Sequence, residues 1–238
     1  MNLFDQCSLK YKFKYHDALP VDEEKEYFEF GKFIHMVFEL HIRDKKSIKE
    51  AYDTAFEKHN KFGSSYKSKI SRIINNFIQF NENLYKNSSV KEEHIELKFN
   101  LQEEEFQFFG FIDRLIFLDN GKAIILDYKT SQKHNELDSK EIKTDGQLMK
   151  YAYVVHKMFA IPLDSIYCAL FYVDSNTVRY TGFDTEKIYN HISDTLLNAR
   201  KIREMEPSNA KPNLGSHCKF CEFGSYCTKY QKYKKLTG

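Results

Sequence analysis

One stretch constrains this chain more than any other: two apolar runs joined by a turn, with charges placed where a buried strand should have none. Asp119-Asn120-Gly121 separates Phe106–Leu118 from Lys122–Lys129. Asn-Gly between β-branched runs is a strong hairpin signal, because both residues tolerate positive φ. The two runs are therefore predicted to pair as antiparallel strands. Ala123 to Leu126 is apolar at every position. That pattern belongs to a strand covered on both faces, in the middle of a sheet with helices above and below.

Asp113, Asp127 and Lys129 place charge within this hairpin. Asp127 and Lys129 lie two apart and share one face of their strand. A turn centred near Asn120 brings Asp113 close to Asp127. Two carboxylates crowded in an apolar setting repel each other and lose hydration. A divalent cation relieves both penalties, and hard cations such as Mg²⁺ or Mn²⁺ choose oxygen ligands. A protonated lysine beside them cannot ligate the ion, but it can hold a water or a phosphate oxygen. The residues suit metal-assisted hydrolysis of a phosphodiester. A buried Asp–Lys ion pair with no chemistry is the competing reading.

The flanking segments supply the helices that such a sheet needs. Leu3 to Tyr15 interleaves Lys10, Lys12 and Lys14 with Tyr11, Phe13 and Tyr15, and fits a strand or an exposed helix equally. Val21–Phe30 reads as a polar linker into a helix. Gly31–His41 carries Phe33, Met36, Val37 and Leu40 at helical spacing, with His35 beside the stripe. A histidine there is by itself a satisfied core residue. Ser47–His59 and Lys67–Lys86 are two further amphipathic helices. Val90–Leu101 alternates as a strand with one wet face and carries Glu96. Ser131–Asp145 reads as a polar, mobile loop. The helix beginning at Gly146 places Gln147 and Tyr151, four apart, on one face. Ser165–Val173 and Thr177–Phe183 form a second hairpin, and Asp184 caps a last long helix to about Met205.

Of five cysteines, Cys168 sits in an apolar strand and reads as a core residue. Cys218, Cys221 and Cys227 follow C-x₂-C-x₅-C within a loop, a spacing that favours a metal or cluster over disulfides. Three thiolates leave a tetrahedral site incomplete, and Cys7 at the other end of the chain is the available fourth. Zinc and an iron–sulfur cluster both accept four thiolates, and spacing does not choose between them. Closing so long a loop costs roughly 4–5 kcal/mol of chain entropy, which ligation must offset. The clip would join Lys10, Lys12 and Lys14 to Lys229, Lys232, Lys234 and Lys235, with Tyr226, Tyr230 and Tyr233 among them. Such a surface suits phosphates and unpaired bases, or is simply a solvated tail. The net charge of +2 neither demands nor excludes nucleic acid. No apolar run reaches the length of a membrane span, no signal-peptide pattern opens the chain, and the expected location is cytoplasmic.

These pieces together resemble the RecB-type branch of the PD-(D/E)XK nucleases. They are most similar to members with a split four-cysteine iron–sulfur site, such as CRISPR-associated adaptation nucleases and AddB-like nuclease domains. The resemblance rests on the Gln6-Cys7 opening, Gly31 to His35, Gly110-Phe-Ile-Asp113-Arg114, Asp127-Tyr128-Lys129-Thr130, Gln147 to Tyr151, and the closing cysteine triad. It implies an α/β (α+β) fold: a restriction-endonuclease-like central mixed sheet flanked by helices, with an N-terminal helical insertion and a C-terminal cluster-binding segment. Residues 1–238 would be one nuclease domain. Within it, 20–90 would be helical, 91–206 the core, and 1–15 with 207–238 the cluster module.

The resemblance also assigns roles. His35, Asp113, Asp127 and the carbonyl of Tyr128 become ligands of Mg²⁺ or Mn²⁺. Lys129 positions the attacking water, supported by Gln147 and Tyr151. Glu96 sits where some members carry a further acid. Cys7, Cys218, Cys221 and Cys227 become ligands of a [4Fe–4S] cluster, with zinc as the alternative. The implied activity is a DNA exonuclease on single strands or ends, with a helicase or CRISPR adaptation protein as a partner, and a role in repair, recombination, phage replication or CRISPR adaptation. The chain carries no P-loop motif and so no ATP motor of its own. A weakly active DNA-binding subunit and a cluster-based redox sensor are the competing classes.

Overall fold

In the computed structural model, which describes residues 3–21, 26–130 and 136–237, the chain divides into two units: 25–194, and 1–24 together with 195–238. The larger unit is built on one five-stranded sheet in the order β1-β2-β3-β4-β5.

Its N-terminal part is helical. Helix α3 spans Glu26–Ile42, α4 Ile48–Lys58, α5 Ser64–Lys67 and α6 Ile70–Asn87; α1 (Leu3–Gln6) and α2 (Ser8–Tyr11) belong to the smaller unit. Ser47 caps α4 in a full capping box with Glu50, so two otherwise orphaned backbone donors at that helix start are satisfied. The apolar stripe of α3 buries Phe33, Ile34, Val37 and Phe38. Phe38 stacks on Phe77 of α6 with ring centroids 3.7 Å apart, and both rings meet the edge of Tyr128. Aromatic packing of this kind fixes α3 and α6 against one face of the sheet.

Strands β1 (Val90–Glu103) and β2 (Phe106–Leu118) form a long antiparallel hairpin. Strand β3 (Ala123–Lys129) is central, as its unbroken apolar run predicts: Ala123, Ile125, Leu126, Asp127 and Tyr128 are all buried. It pairs antiparallel with β2 and parallel with β4 (Ile166–Tyr172), and β4 pairs antiparallel with β5 (Thr177–Thr181). The sheet is thus mixed, and helices flank it, as the resemblance implied. Helix α7 (Gly146–Phe159) returns the chain from β3 to β4, and α8 (Thr185–Glu204) follows β5. In the smaller unit, α9 spans Thr228–Thr237.

Four local expectations change. The β2–β3 connection is a three-residue loop in which only Gly121, at φ +79°, is left-handed; Leu118 N–H donates to the Lys122 carbonyl across it. This is the turn-plus-bulge solution, not a two-residue turn with two positive φ angles. Leu3 to Tyr15 is helical, and its second half, Lys12–His16, is a π-helix. Of the segment expected to be mobile, Ser131–Asn135 lies outside the described residues. The rest forms a helical turn at Glu141–Thr144 that buries Ile142, with Asp138 accepting the backbone N–H of Lys140 and Glu141. The expected Val21–Phe30 linker is helical from Glu26, and residues 22–25 lie outside the described residues.

Candidate metal centre

The strand register brings the acids together. Arg114 faces Leu126 across the β2–β3 ladder, so Asp113 and Asp127 follow as the next opposed pair, where the strands part. In that opening Asp113 Oδ2 accepts the Tyr128 backbone N–H at 2.7 Å. On the other side of β2, Ile95 and Leu97 pair with Arg114 and Ile112, and Glu96 between them drops out of the ladder. Its φ of +49° is a conformation that a glutamate adopts only when its surroundings impose it. Ligand atoms of His35, Glu96 and Asp113 all lie within 4.8 Å of one another.

Helix α3 delivers the nitrogen donor. His35 Nε2 lies 3.2 Å from the Tyr128 carbonyl, and Nδ1 lies 3.6 Å from Asp113 Oδ1 and 3.8 Å from Glu96 Oε1. Burial pushes the Asp113 carboxyl up to about 7, against the pull of His35; Asp127 and Glu96 add to the rise. Burial opposes a charged His35, yet Asp113 first, and then Glu96 and Asp127, lift it to about 9. Burial drives the first shift and neighbouring carboxylates the second, and carboxylates crowded where water is scarce are the condition that a cation relieves. Imidazole nitrogen, carboxylate oxygen and a peptide carbonyl form a donor set that fits Mn²⁺ or Mg²⁺.

Asp127 is placed differently from the other acid. It is 3% exposed, and its Oδ2 lies 2.6 Å from Lys129 Nζ. Burial raises the Asp127 carboxyl while Lys129 opposes; Asp127 in turn raises the Lys129 amine against its own burial. Lys129 Nζ also donates to Gln147 Oε1 at 3.3 Å, and Gln147 Nε2 donates to Tyr151 OH at 2.7 Å. Gln147 and Tyr151 reach the lysine because Asp145 caps α7 at the mouth of the site, its carboxylate accepting Leu148 N–H. The site residues expected in this unit therefore fall in two adjoining groups, His35, Glu96, Asp113 and the Tyr128 backbone in one, and Asp127, Lys129, Gln147 and Tyr151 in the other.

Sequence reasoning passed over Arg114. Its side chain is fully buried, bidentate to Glu93 Oε2 at 2.6 and 2.9 Å, and bonded to Asn81 and to the hydroxyls of Tyr85 and Tyr128. It holds the tyrosine whose backbone touches both His35 and Asp113. The signal was present as a fourth charge in the apolar run.

In the smaller unit Cys7, Cys218, Cys221 and Cys227 line one pocket, with Phe13 and Phe223 among its walls. The chain ends are stitched there: Leu9 N–H donates to the Lys211 carbonyl, and Lys10 pairs with Glu222 at 2.8 Å. Backbone N–H groups of Lys10 and Asn213 approach Cys7 Sγ at 3.4 and 3.5 Å, and that of Gly215 approaches Cys218 Sγ at 3.4 Å. Among the described residues no three of these sulfurs lie within 4.8 Å of one another. Cys168 is a core residue, as expected, its Sγ 3.6 Å from the Leu148 carbonyl. Two of the three N-terminal lysines are paired, Lys10 with Glu222 and Lys12 with Asp17, and Lys14 lies over the Tyr15 ring. The side chains of Tyr233, Lys234 and Lys235 lie outside the described residues. No described helix is long and apolar enough to cross a membrane.

Comparison with known proteins gives three findings. A family model for the PD-(D/E)XK nuclease superfamily matches residues 1–228. No curated protein matches. Among solved structures, a protein designated a candidate exonuclease from Eubacterium rectale superposes with a TM-score of 0.57 at 12% identity, over 90% of this chain and 80% of that one. SSO0001 (TM-score 0.38, 18% identity, 93% and 94% covered) and VC1899 from Vibrio cholerae (0.29, 9%, 87% and 57%) are more distant and carry no argument.

Proposed function

The chain belongs to the PD-(D/E)XK nuclease superfamily, and on that premise we propose that it is a Mg²⁺- or Mn²⁺-dependent deoxyribonuclease of the RecB-type branch, acting on single strands or DNA ends. Membership makes it a nuclease, hence a phosphodiester hydrolase, and divalent-metal dependence is general in the superfamily. The observation that carries the finer reading is the convergence of His35, Glu96 and Asp113 beside the Asp127–Lys129 pair.

In this reading His35, Asp113, Asp127 and the Tyr128 carbonyl hold the ion, with Glu96 as a further carboxylate. A bound cation of this kind polarises the scissile phosphate and lowers the pKa of its water. Lys129 orients the attacking oxygen and offsets charge that develops on the phosphate. Gln147 fixes the lysine, and Tyr151 fixes Gln147, so the amine is aimed before substrate arrives. Asp127 keeps that amine protonated and local.

The four cysteines are read as ligands of a structural [4Fe–4S] cluster, with zinc as the alternative. Their common pocket and the N–H groups directed at two of the sulfurs support ligation. Residues 1–15 and 207–238 would form this module, with 20–90 helical and 91–206 the nuclease core. A cytoplasmic role in repair, recombination, phage replication or CRISPR adaptation, beside a helicase or adaptation partner, follows from the resemblance.

The test is cleavage of end-labelled single- and double-stranded DNA with Mn²⁺ by protein purified without air. Wild-type protein should cut, and Asp127→Ala and Lys129→Ala should not. Retained cleavage in both variants would remove the proposed chemistry.

A further inference from the structure

Beyond Asp113, towards its tip, the β1–β2 hairpin turns one face to solvent. Lys98, Asn100 and Gln102 on β1 and Gln107, Phe109 and Phe111 on β2 are all exposed, and their registered pairs are Lys98 with Phe111, Asn100 with Phe109, and Gln102 with Gln107. The intervening residues are covered: Phe99 is buried and lies against Gly110, where a Cβ would sit 2.9 Å from its ring. Phe109 is 80% exposed and Phe111 52%. Among the described residues neither ring meets another aromatic ring. Large apolar side chains so exposed on a strand are a liability unless something covers them.

We infer that this face is a stacking track for the unpaired bases of a single-stranded DNA whose phosphate is delivered to Asp113, an inference that rests on the nuclease reading above. Three observations select this occupant. Phe109, Phe111 and Asp113 alternate on β2, so the rings lead along one face to the ligand cluster. Lys98 stands beside Phe111 and offers the backbone a cation, and an open groove that Lys98 lines is also lined by Arg43 and Lys45, with Glu93 and Glu96 among its walls and Arg43 paired to Glu39 and Asp44. Rings two residues apart on a strand are about 6.8 Å apart, twice the ~3.4 Å rise of a stacked helix. A strand that lays one base on each ring must therefore have its bases separated from one another, which excludes duplex. Two rings, Phe109 and Phe111, are exposed on this face, so the track takes two bases.

The test is binding of the full chain to fluorescein-labelled oligothymidylate in Ca²⁺, read by anisotropy without cleavage. Phe109→Ala and Phe111→Ala should each raise Kd roughly tenfold, while melting temperature and duplex affinity stay unchanged. Phe111→Trp should restore binding, and Phe111→Leu should not. An abasic oligonucleotide should bind wild type as weakly as the alanine variants bind oligothymidylate. Unchanged affinity in both alanine variants, full binding by Phe111→Leu, or equal losses on duplex would overturn the inference. So would a wild-type dimer that these substitutions dissociate, which would assign the face to a second copy. Wild-type cleavage with unaltered variant binding sinks only this track; absence of any wild-type cleavage sinks the nuclease reading.

Discussion

At the scale of single residues, some groups of the site are proposed to hold a cation and others to aim a nucleophile. Glu96 and Lys129 test the division. Glu96→Gln removes one charge from the His35–Asp113 cluster, and Mn²⁺ affinity measured by calorimetry should fall roughly 10- to 100-fold. Lys129→Met leaves the ligand cluster intact; kcat should fall about 100-fold or more while Mn²⁺ affinity is retained. Loss of metal binding in Lys129→Met would show that the amine is structural. Arg114 belongs to neither group. Its guanidinium is fully buried and pairs with Glu93, so Arg114→Leu strands a carboxylate and should cost about 3–5 kcal/mol in denaturant unfolding.

At the scale of elements, the β1–β2 hairpin carries Glu96 and Asp113, and its geometry depends on a close approach. A Cβ at Gly110 would lie 2.9 Å from the Phe99 ring, which is buried and meets Tyr151 edge-on with centroids 6.0 Å apart. Gly110→Ala should therefore destabilise by roughly 1–3 kcal/mol; an unchanged melting temperature would show that Phe99 moves aside freely. Ser47→Ala removes the α4 cap and should cost about 1 kcal/mol with Mn²⁺-dependent cleavage unaltered. Most element boundaries were legible in the sequence. The Phe106–Leu118 strand and the Gly146–Phe159 helix stand where periodicity put them, because strands and helices that bury one face must repeat their apolar residues at the matching interval. The turn at Glu141–Thr144 was not legible, because Asp138 and the packing of Ile142 hold a segment of polar composition.

At the scale of the whole molecule, two metal sites of different chemistry are proposed in two units, and they should respond to different treatments. EDTA should abolish cleavage without bleaching the visible absorption, and Mn²⁺ should restore it, since oxygen-ligated divalent ions exchange and thiolate-held iron does not. Cys218→Ser should bleach the protein and lower its melting temperature. A colourless wild-type protein containing stoichiometric zinc would replace the cluster with the alternative metal.

The sequence by itself determined the hairpin, the covered central strand and the meeting of Asp113 with Asp127. These follow from local turn chemistry and from a side-chain alternation that fixes register. It also singled out His35, but only through resemblance, since one imidazole beside an apolar stripe has no local signature. Tertiary structure alone decided that Glu96 leaves its ladder to join His35 and Asp113, that Asp127 turns to Lys129, and that Arg114 locks Tyr128 from beneath. Those outcomes depend on which charges are packed beside one another in a space without water. Proximity of that kind is set by the packing of α3, α6 and α7 on the sheet, and residue order along the strands does not encode it.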